Sequence, residues 1–403
     1  MFKAAARWLD DRVDIAELRR TLLDRKMPAG LTWSHTLGSA TLTVFAVQVV
    51  TGIVLAMYYA PSPDHAYDSI RYIERTVASG ALLRGVHHWG ASAMVVLVCA
   101  HMVRVFTMGA YKYPRELNWL LGVFLLFVVL GFGFTGYLLP WDQKAYWATQ
   151  VGTNIAGTTP LVGGVLLELL RGGGQLGAAT LTRFYSVHVL VLPLAIGVVI
   201  LLHLALVVRQ GIASPPAELE RGAPPRTSDG AYARFYRETS AESKARGVPF
   251  WPDVIAKDIV VAAGVVALLV VLASLQGAGL ESPADPTDTA YVPRPEWYFL
   301  PFFQLLKLVP GALESFIAVG VPSLIALALL LLPFFDRGSV RSLTRRPLAL
   351  LSLGVTTSVL ALLFGASARG APSPSIVPEV GRPLLPTFFL QPVDVSFVFW
   401  GRI

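Results

Sequence analysis

Cysteine is nearly absent: Cys99 is the only one in 403 residues. A single cysteine closes no intrachain disulfide and builds no multi-cysteine metal site, and the chain has no Cys-x-x-Cys-His for covalent attachment of a c-type haem. Cys99 lies inside an apolar run and is read as a packing residue. Charge is scarce as well. Charged residues make up 15% of the chain against 54% hydrophobic ones, and the mean hydropathy is +0.58. Those values exclude a string of soluble domains and point to an integral membrane protein. Some 36 charged and amphipathic residues precede the first apolar run, so no cleavable leader is expected there. The net charge of +7 forms no basic cluster on a soluble unit, which excludes nucleic acid as a partner and leaves the lipid bilayer.

What is abundant is long apolar sequence. Seven stretches reach spanning length, at about 37–58, 86–107, 117–137, 184–207, 254–276, 313–335 and 347–367. The expected fold is all-α, a polytopic transmembrane protein with a four-helix bundle followed by a three-helix C-terminal part. Of the 33 lysines and arginines, 22 fall in residues 1–36, 104–116, 208–257 and 336–346, and 11 in the alternate connections. The positive-inside rule then puts the N-terminus in the cytoplasm and the C-terminus outside. Apolar residues Trp8, Val13, Ile15, Leu18 and Leu22 recur at mostly helical spacing among charges, so residues 1–36 are expected to lie along the cytoplasmic membrane face. The remaining division is a four-helix unit (37–209), a charged cytoplasmic connector (210–253), a three-helix unit (254–367) and an outer tail (368–403) whose role is not legible. The long connection 138–183 is expected to carry short amphipathic helices on the outer surface.

Two of the stretches carry two histidines each: His87 with His101, and His188 with His203. On a helix a 14-residue step returns to within about 40° of its starting direction and a 15-residue step to within about 60°. Each pair therefore faces one way, with its members about 21 Å apart along the axis. Two such helices face to face offer two tiers of imidazoles, the geometry that grips two haems stacked across a bilayer. Ionisable side chains at that depth are costly and are retained for function. Glycine gives an independent sign: Gly38 with Gly52, and Gly122 with Gly136, repeat the 14-residue step on two further stretches. A flat macrocycle between helices needs neighbours without side chains at those two levels. His88 is about 140° out of phase with His101 and points elsewhere. His35 precedes the first stretch, where a role on a quinone side is one reading, and His65 lies in a polar connection. Arg84 and Arg104 sit one turn outside His87 and His101, where a guanidinium would neutralise a haem propionate, and Arg183 is a third candidate outside His188.

Outside the bundle, Pro295, Glu296, Trp297 and Tyr298 stand together in a proline-bounded outer stretch. A carboxylate in a partly dry, aromatic-lined pocket is suited to take a proton from a bound substrate. Glu296 is the candidate.

The segments RGVHHWGAS, AHMVRVF, GYLLPWDQKAYW, TLTRFYSVHVLVLP and PRPEWYFLPFFQLLK together resemble cytochrome b of the bc1 and b6f complexes. The resemblance runs from about residue 4 to 366. The 14 residues between His188 and His203, the WDQ after Pro140 and the seven-span count look most like cytochrome b6 plus subunit IV, here fused in one chain. The b6 type attaches an extra haem through a cysteine where this chain has Thr36, so no covalent haem is expected. The resemblance implies a quinol-oxidising subunit of a proton-translocating complex with two non-covalent b-type haems. His87 and His188 would hold the low-potential iron near the outer face, and His101 and His203 the high-potential iron near the cytoplasmic face. Tyr137, Pro140, Trp141, Glu296 and Tyr298 would form the outer quinol site. Arg209, Lys257 and Asp258 would handle quinone reduction on the inner side. One electron would leave to a Rieske iron–sulfur partner and on to a c-type cytochrome, the other through the two haems. A homodimer in a bacterial plasma membrane is implied with them. Two rivals differ in kind. A dihaem membrane anchor of a dehydrogenase would co-purify with a large soluble flavin or molybdenum subunit, and a cofactor-free transporter would be colourless.

Overall fold

The computed structural model describes residues 2–226, 230–288, 290–309 and 311–369. Seven helices in it are long and apolar enough to cross a membrane. They are Leu37–Ala56, Gly80–Thr107, Glu116–Tyr137, the nearly continuous Ala178–Gln210, Ile255–Gln276, Gly311–Phe335 and Pro347–Arg369. Among the described residues there is no β-strand, and two isolated bridges, Lys26 with Pro249 and Asp142 with Pro283, tie connections together.

The second and fourth spans begin several residues before their apolar runs. In the second, polar Arg84 is tolerated in the outer turns because its buried guanidinium is engaged, pairing with Glu74 and donating to the Ala278 and Gly279 carbonyls. The fourth contains a π-turn over Val187–Val191. Pro193 has no N–H to donate to the carbonyl four residues back, and its ring crowds that carbonyl, so a locally widened turn relieves both. A π-turn absorbs one extra residue. The 15-residue step from His188 to His203 thereby becomes equivalent to the 14-residue step from His87 to His101.

The core joins the first five spans. Val44, Trp89, Val95, Val128, Ile196 and Leu269 belong to one buried cluster. Glycine decides how close the fifth span approaches: a Cβ on Gly85 would stand 2.8 Å from the Ala273 Cβ, too near for any other residue. Cys99 is a correction to the expected packing role. It is exposed, on one stripe with Val96 (48%) and Val103 (46%), while Val95 and Val98 take the inward side.

The N-terminal segment forms two helices, Phe2–Val13 and Ile15–Leu22, broken at Asp14, whose side chain accepts from the Glu17 N–H at 3.0 Å. The outer connection carries helices Gln143–Gly157 and Gly163–Arg171. The connector carries Ala231–Ala245. The tail from 370 onward lies outside the described residues.

The connection 108–115, between the second and third spans, is locked to 336–346. Lys112, 2% exposed, donates to Asp336 at 2.6 Å and to the Val340 carbonyl at 2.7 Å. Tyr111 and Arg346 share the same carboxylate. Burial pushes the Asp336 carboxyl up, but hydrogen bonds from Lys112 and Tyr111 outweigh it and hold the group below the usual carboxylate range. Burial draws Lys112 itself downward, so the favourable half of this pair resides in the more solvated carboxylate. A depressed folded value contributes stability in full above the unfolded value of about 3.9, and that stability is lost as pH falls through the lower folded value. Asp336→Asn strands a buried ammonium with only carbonyl partners. It is expected to destabilise the protein by about 3 kcal/mol at neutral pH, read as a lower unfolding midpoint in detergent. An unchanged midpoint would show the lock to be energetically idle.

Candidate functional site

Each histidine of the two pairs meets one glycine of a neighbouring span. A Cβ built on Gly52 would lie 3.2 Å from His87 Cε1, on Gly136 2.6 Å from His188 Cε1, on Gly38 3.3 Å from His101 Cε1, and on Gly122 3.8 Å from His203 Cε1. The first span thus serves the histidines of the second, and the third those of the fourth. Two tiers result.

In the outer tier the His87 and His188 rings face each other with centroids 6.4 Å apart and planes crossed at 71°. Two imidazole–metal bonds of about 2 Å each, plus the ring radii, account for that separation. The orientation is fixed from behind. Thr51 donates its hydroxyl proton to the Val47 carbonyl at 2.7 Å, and its oxygen stands 2.9 Å from His87 Nδ1. Thr135 does the same with the Gly131 carbonyl at 2.8 Å and His188 Nδ1 at 3.0 Å. A hydroxyl whose proton is spent can only accept, so each Nδ1 carries the hydrogen and each Nε2 keeps its lone pair for a metal. The residues were absent from the sequence reading, although a signal existed: both glycines facing the outer tier follow directly on a threonine, Thr51–Gly52 and Thr135–Gly136. Gln48 further ties the first span to the second, donating to the His87 carbonyl at 3.0 Å. In the inner tier His101 stands close enough to His203 and Arg104 for their charges to interact.

The donor set tests what this arrangement fits. Among the described residues no group of three or more His, Cys, Asp or Glu side chains is placed to hold a metal ion. A facing pair of imidazoles leaves a bare ion short of ligands and completes a metal that brings four of its own in a plane, as a haem does. The glycine cradles leave room for such a plane. Of the three arginines considered for propionates, only Arg104 has buried donors without partners, at Nε and Nη2. Arg84 is occupied as described, and Arg183 donates to the Glu168 and Leu169 carbonyls at 2.8 and 2.7 Å, closing the end of an outer-surface helix.

On the outer side, Glu296 forms an ion pair with Lys144 at 3.1 Å. Lys144 lies 5.5 Å over the Tyr137 ring, and the Tyr137 hydroxyl donates to the Arg294 carbonyl at 3.3 Å. The Tyr298 hydroxyl sits against Gly133 of the third span, where a Cβ would come within 2.6 Å of it. Burial, with the Glu296 charge second, holds the Tyr298 phenol above its usual range, so it stays a neutral hydroxyl. Trp297 donates to Ser92 Oγ at 3.2 Å and anchors the loop to the second span. His88, edge-on to Trp89 at 5.5 Å, is in electrostatic reach of Glu296. Trp141 is not gathered with these residues: it is buried with Leu138, Tyr146 and Leu181 under the outer helices, leaving Pro140 to mark the turn. Lys144 is the residue of this group that the sequence reading missed, because a lysine in a polar loop carries no periodic signal.

On the inner side Asp258 accepts from Ser39 Oγ at 2.6 Å, and Lys257 lies 5.9 Å over the Trp33 ring. His35 is in electrostatic reach of Arg104 and Lys257. Arg209 is on the wall of a different cavity, with Tyr236 and Lys244. Thr36 is buried, its hydroxyl donating to the Trp33 carbonyl at 2.7 Å.

The chain matches the family described as "Cytochrome b/b6/petB" over residues 22–211 and that described as "Cytochrome b(C-terminal)/b6/petD" over residues 283–378. It is 45% identical over 216 residues to the menaquinol:cytochrome c reductase cytochrome b subunit of Bacillus subtilis, covering 52% of this chain and 96% of that one. Cytochrome b6 of Oltmannsiellopsis viridis is 43% identical over 208 residues, covering 52% of this chain and 97% of that one. A solved chain of a hyperthermophilic respiratory Complex III aligns over 91% of this chain and 92% of its own length, with a TM-score of 0.76 and 30% identity.

Proposed function

The chain belongs to the cytochrome b family, and from that premise we propose that it is the quinol-oxidising subunit of a quinol:cytochrome c reductase. Its N-terminus would face the cytoplasm, the orientation that the bias of lysine and arginine toward alternate connections supports. The observation that carries the reading is the match of four histidines to four glycines in two tiers. His87 with His188, and His101 with His203, would hold two non-covalent b-type haems, with Arg104 as partner to an inner propionate. When bound, the haems supply one-electron carriers between the two faces of the membrane.

The protein's own residues do the rest. Tyr137, Glu296 and Tyr298 bind a quinol at the outer face, Trp297 fixes the loop that presents them, and Glu296 takes a proton from the quinol hydroxyl. Lys144 holds the Glu296 carboxylate ready between turnovers. The two electrons take separate exits, one to a Rieske iron–sulfur partner that serves a c-type cytochrome, the other inward. At the inner face Ser39, Lys257 and Asp258 bind the quinone and deliver protons to it, with His35 beside them. Protons are thus released outside and taken up inside.

Glycine substitution tests the cradle without touching a ligand. Gly136→Ala puts a Cβ 2.6 Å from His188 Cε1, a contact that the ring relieves only by leaving its place. The expected result is loss of the outer haem component from the reduced spectrum while the inner one persists. A spectrum identical to that of the unmodified protein would contradict the placement of a haem at Gly136.

A further inference from the structure

At the cytoplasmic end of the fourth span a cavity of about 670 Å³ opens between that helix and the connector helix Ala231–Ala245. Three cations line it: Arg209 from the span, and Arg237 and Lys244 from the connector. Positions 237, 240, 241 and 244 form one face of the connector helix, and they all line the cavity. The carboxylates of that helix, Glu238 and Glu242, do not. Among the described residues neither Arg209 nor Lys244 has an ion-pair partner. Lys244 Nζ instead folds over Gly211, where a Cβ would meet it at 2.9 Å.

Two further groups on the wall are unspent. Ser240 Oγ and Gln210 Oε1 are buried without hydrogen-bond partners, although Gln210 Nε2 is anchored on the Pro114 carbonyl at 2.8 Å. The wall itself is rigid, since Tyr236 is engaged by Arg115. Buried polar groups left open beside unpaired cations call for a ligand bearing an anion together with a hydroxyl or amine. The lower wall is apolar. Leu206 continues into Leu202 and Val198 at four-residue intervals on the same helix face, exposed at 53% and 51%.

We propose that this cavity seats the phosphate headgroup of an anionic phospholipid, with its acyl chains along Val198, Leu202 and Leu206. Arg209 offers the planar fork that matches phosphate oxygens, Lys244 and Arg237 add point charge and a second fork, and Ser240 donates its hydroxyl. The Gln210 carbonyl accepts from a glycerol hydroxyl of the headgroup. Basic pockets at this membrane depth recognise such headgroups. The apolar stripe selects the lipid over a free phosphate ion, which shares the headgroup chemistry and has no use for it.

The test uses the whole complex, delipidated in a neutral detergent and exchanged against either dioleoyl-phosphatidylglycerol or dioleoyl-phosphatidylcholine, with bound lipid counted by native mass spectrometry. Retention of phosphatidylglycerol in preference to phosphatidylcholine is expected. The double substitution Arg209→Gln, Lys244→Gln is expected to weaken phosphatidylglycerol retention about 30-fold, and Ser240→Ala to weaken it less. The visible spectrum serves as the check that the variants are folded. Equal retention of both lipids, or retention unchanged in the double variant, overturns the proposal. Millimolar inorganic phosphate that displaces the lipid completely would assign the cavity to the free ion and overturn it equally.

Discussion

His188→Ala is expected to erase one b-type haem component, the one of lower potential, and to leave the other intact. The His188 imidazole faces His87 across 6.4 Å, and its Nδ1 is held by Thr135 so that Nε2 is the free donor. On the proposed ligation, alanine removes one of the two protein ligands of that tier. The inner pair lies about 21 Å along the helix axis, shares no residue with the outer one and keeps its own cradles at Gly38 and Gly122. Haem content should therefore fall by half. Quinol oxidation should fall with it by orders of magnitude, because on the proposed route the second electron then has no inward exit. Dithionite-reduced spectra and a haem count per chain check this directly, and an unchanged spectrum refutes the assignment of His188. Thr135→Val separates ligation from tuning. It keeps the shape and removes the acceptor behind Nδ1, so the outer component should persist with a raised potential, since a hydrogen-bonded imidazole is the stronger donor to oxidised iron.

The second large effect is at Glu296. Glu296→Gln preserves size and leaves the loop's anchor, Trp297 on Ser92, untouched. It removes the group proposed as the base. A positioned general base contributes about 10² to 10⁴ in rate, so turnover with quinol is expected to fall by at least about 10²-fold while both haem components remain. Folding is not at stake: the Lys144 partner is 36% exposed on its side chain and turns to solvent when the carboxylate is lost. Steady-state quinol oxidation on spectroscopically intact variant is the measurement, and a rate within twofold of the unmodified protein would remove Glu296 from the mechanism.

Much of the bundle was legible because helical periodicity and bilayer thickness act on every residue of a span. Seven apolar runs, four histidines and four glycines in 14- or 15-residue steps sufficed to predict two tiers, while which glycine faces which histidine came from the structure. The one-residue mismatch of the fourth span was visible as a phase error, and its resolution by a π-turn at Pro193 needed the backbone. Polar partners were less legible. Arg84, Arg104 and Arg183 look alike in sequence, each one turn or so from a histidine, yet two spend their donors on nearby carbonyls or on Glu74, and only Arg104 keeps buried donors open. Sequence distance does not say where a long side chain ends. For the same reason Lys144 was missed, Trp141 was grouped with Glu296 although it packs beneath the outer helices, and Arg209 was grouped with Asp258 although it borders another cavity.

A redox titration of the visible spectrum of the purified chain bears most directly on the two-tier reading. Two b-type components of different midpoint potential, in equal amounts, are the expected result. A colourless protein, or a single component, would contradict it.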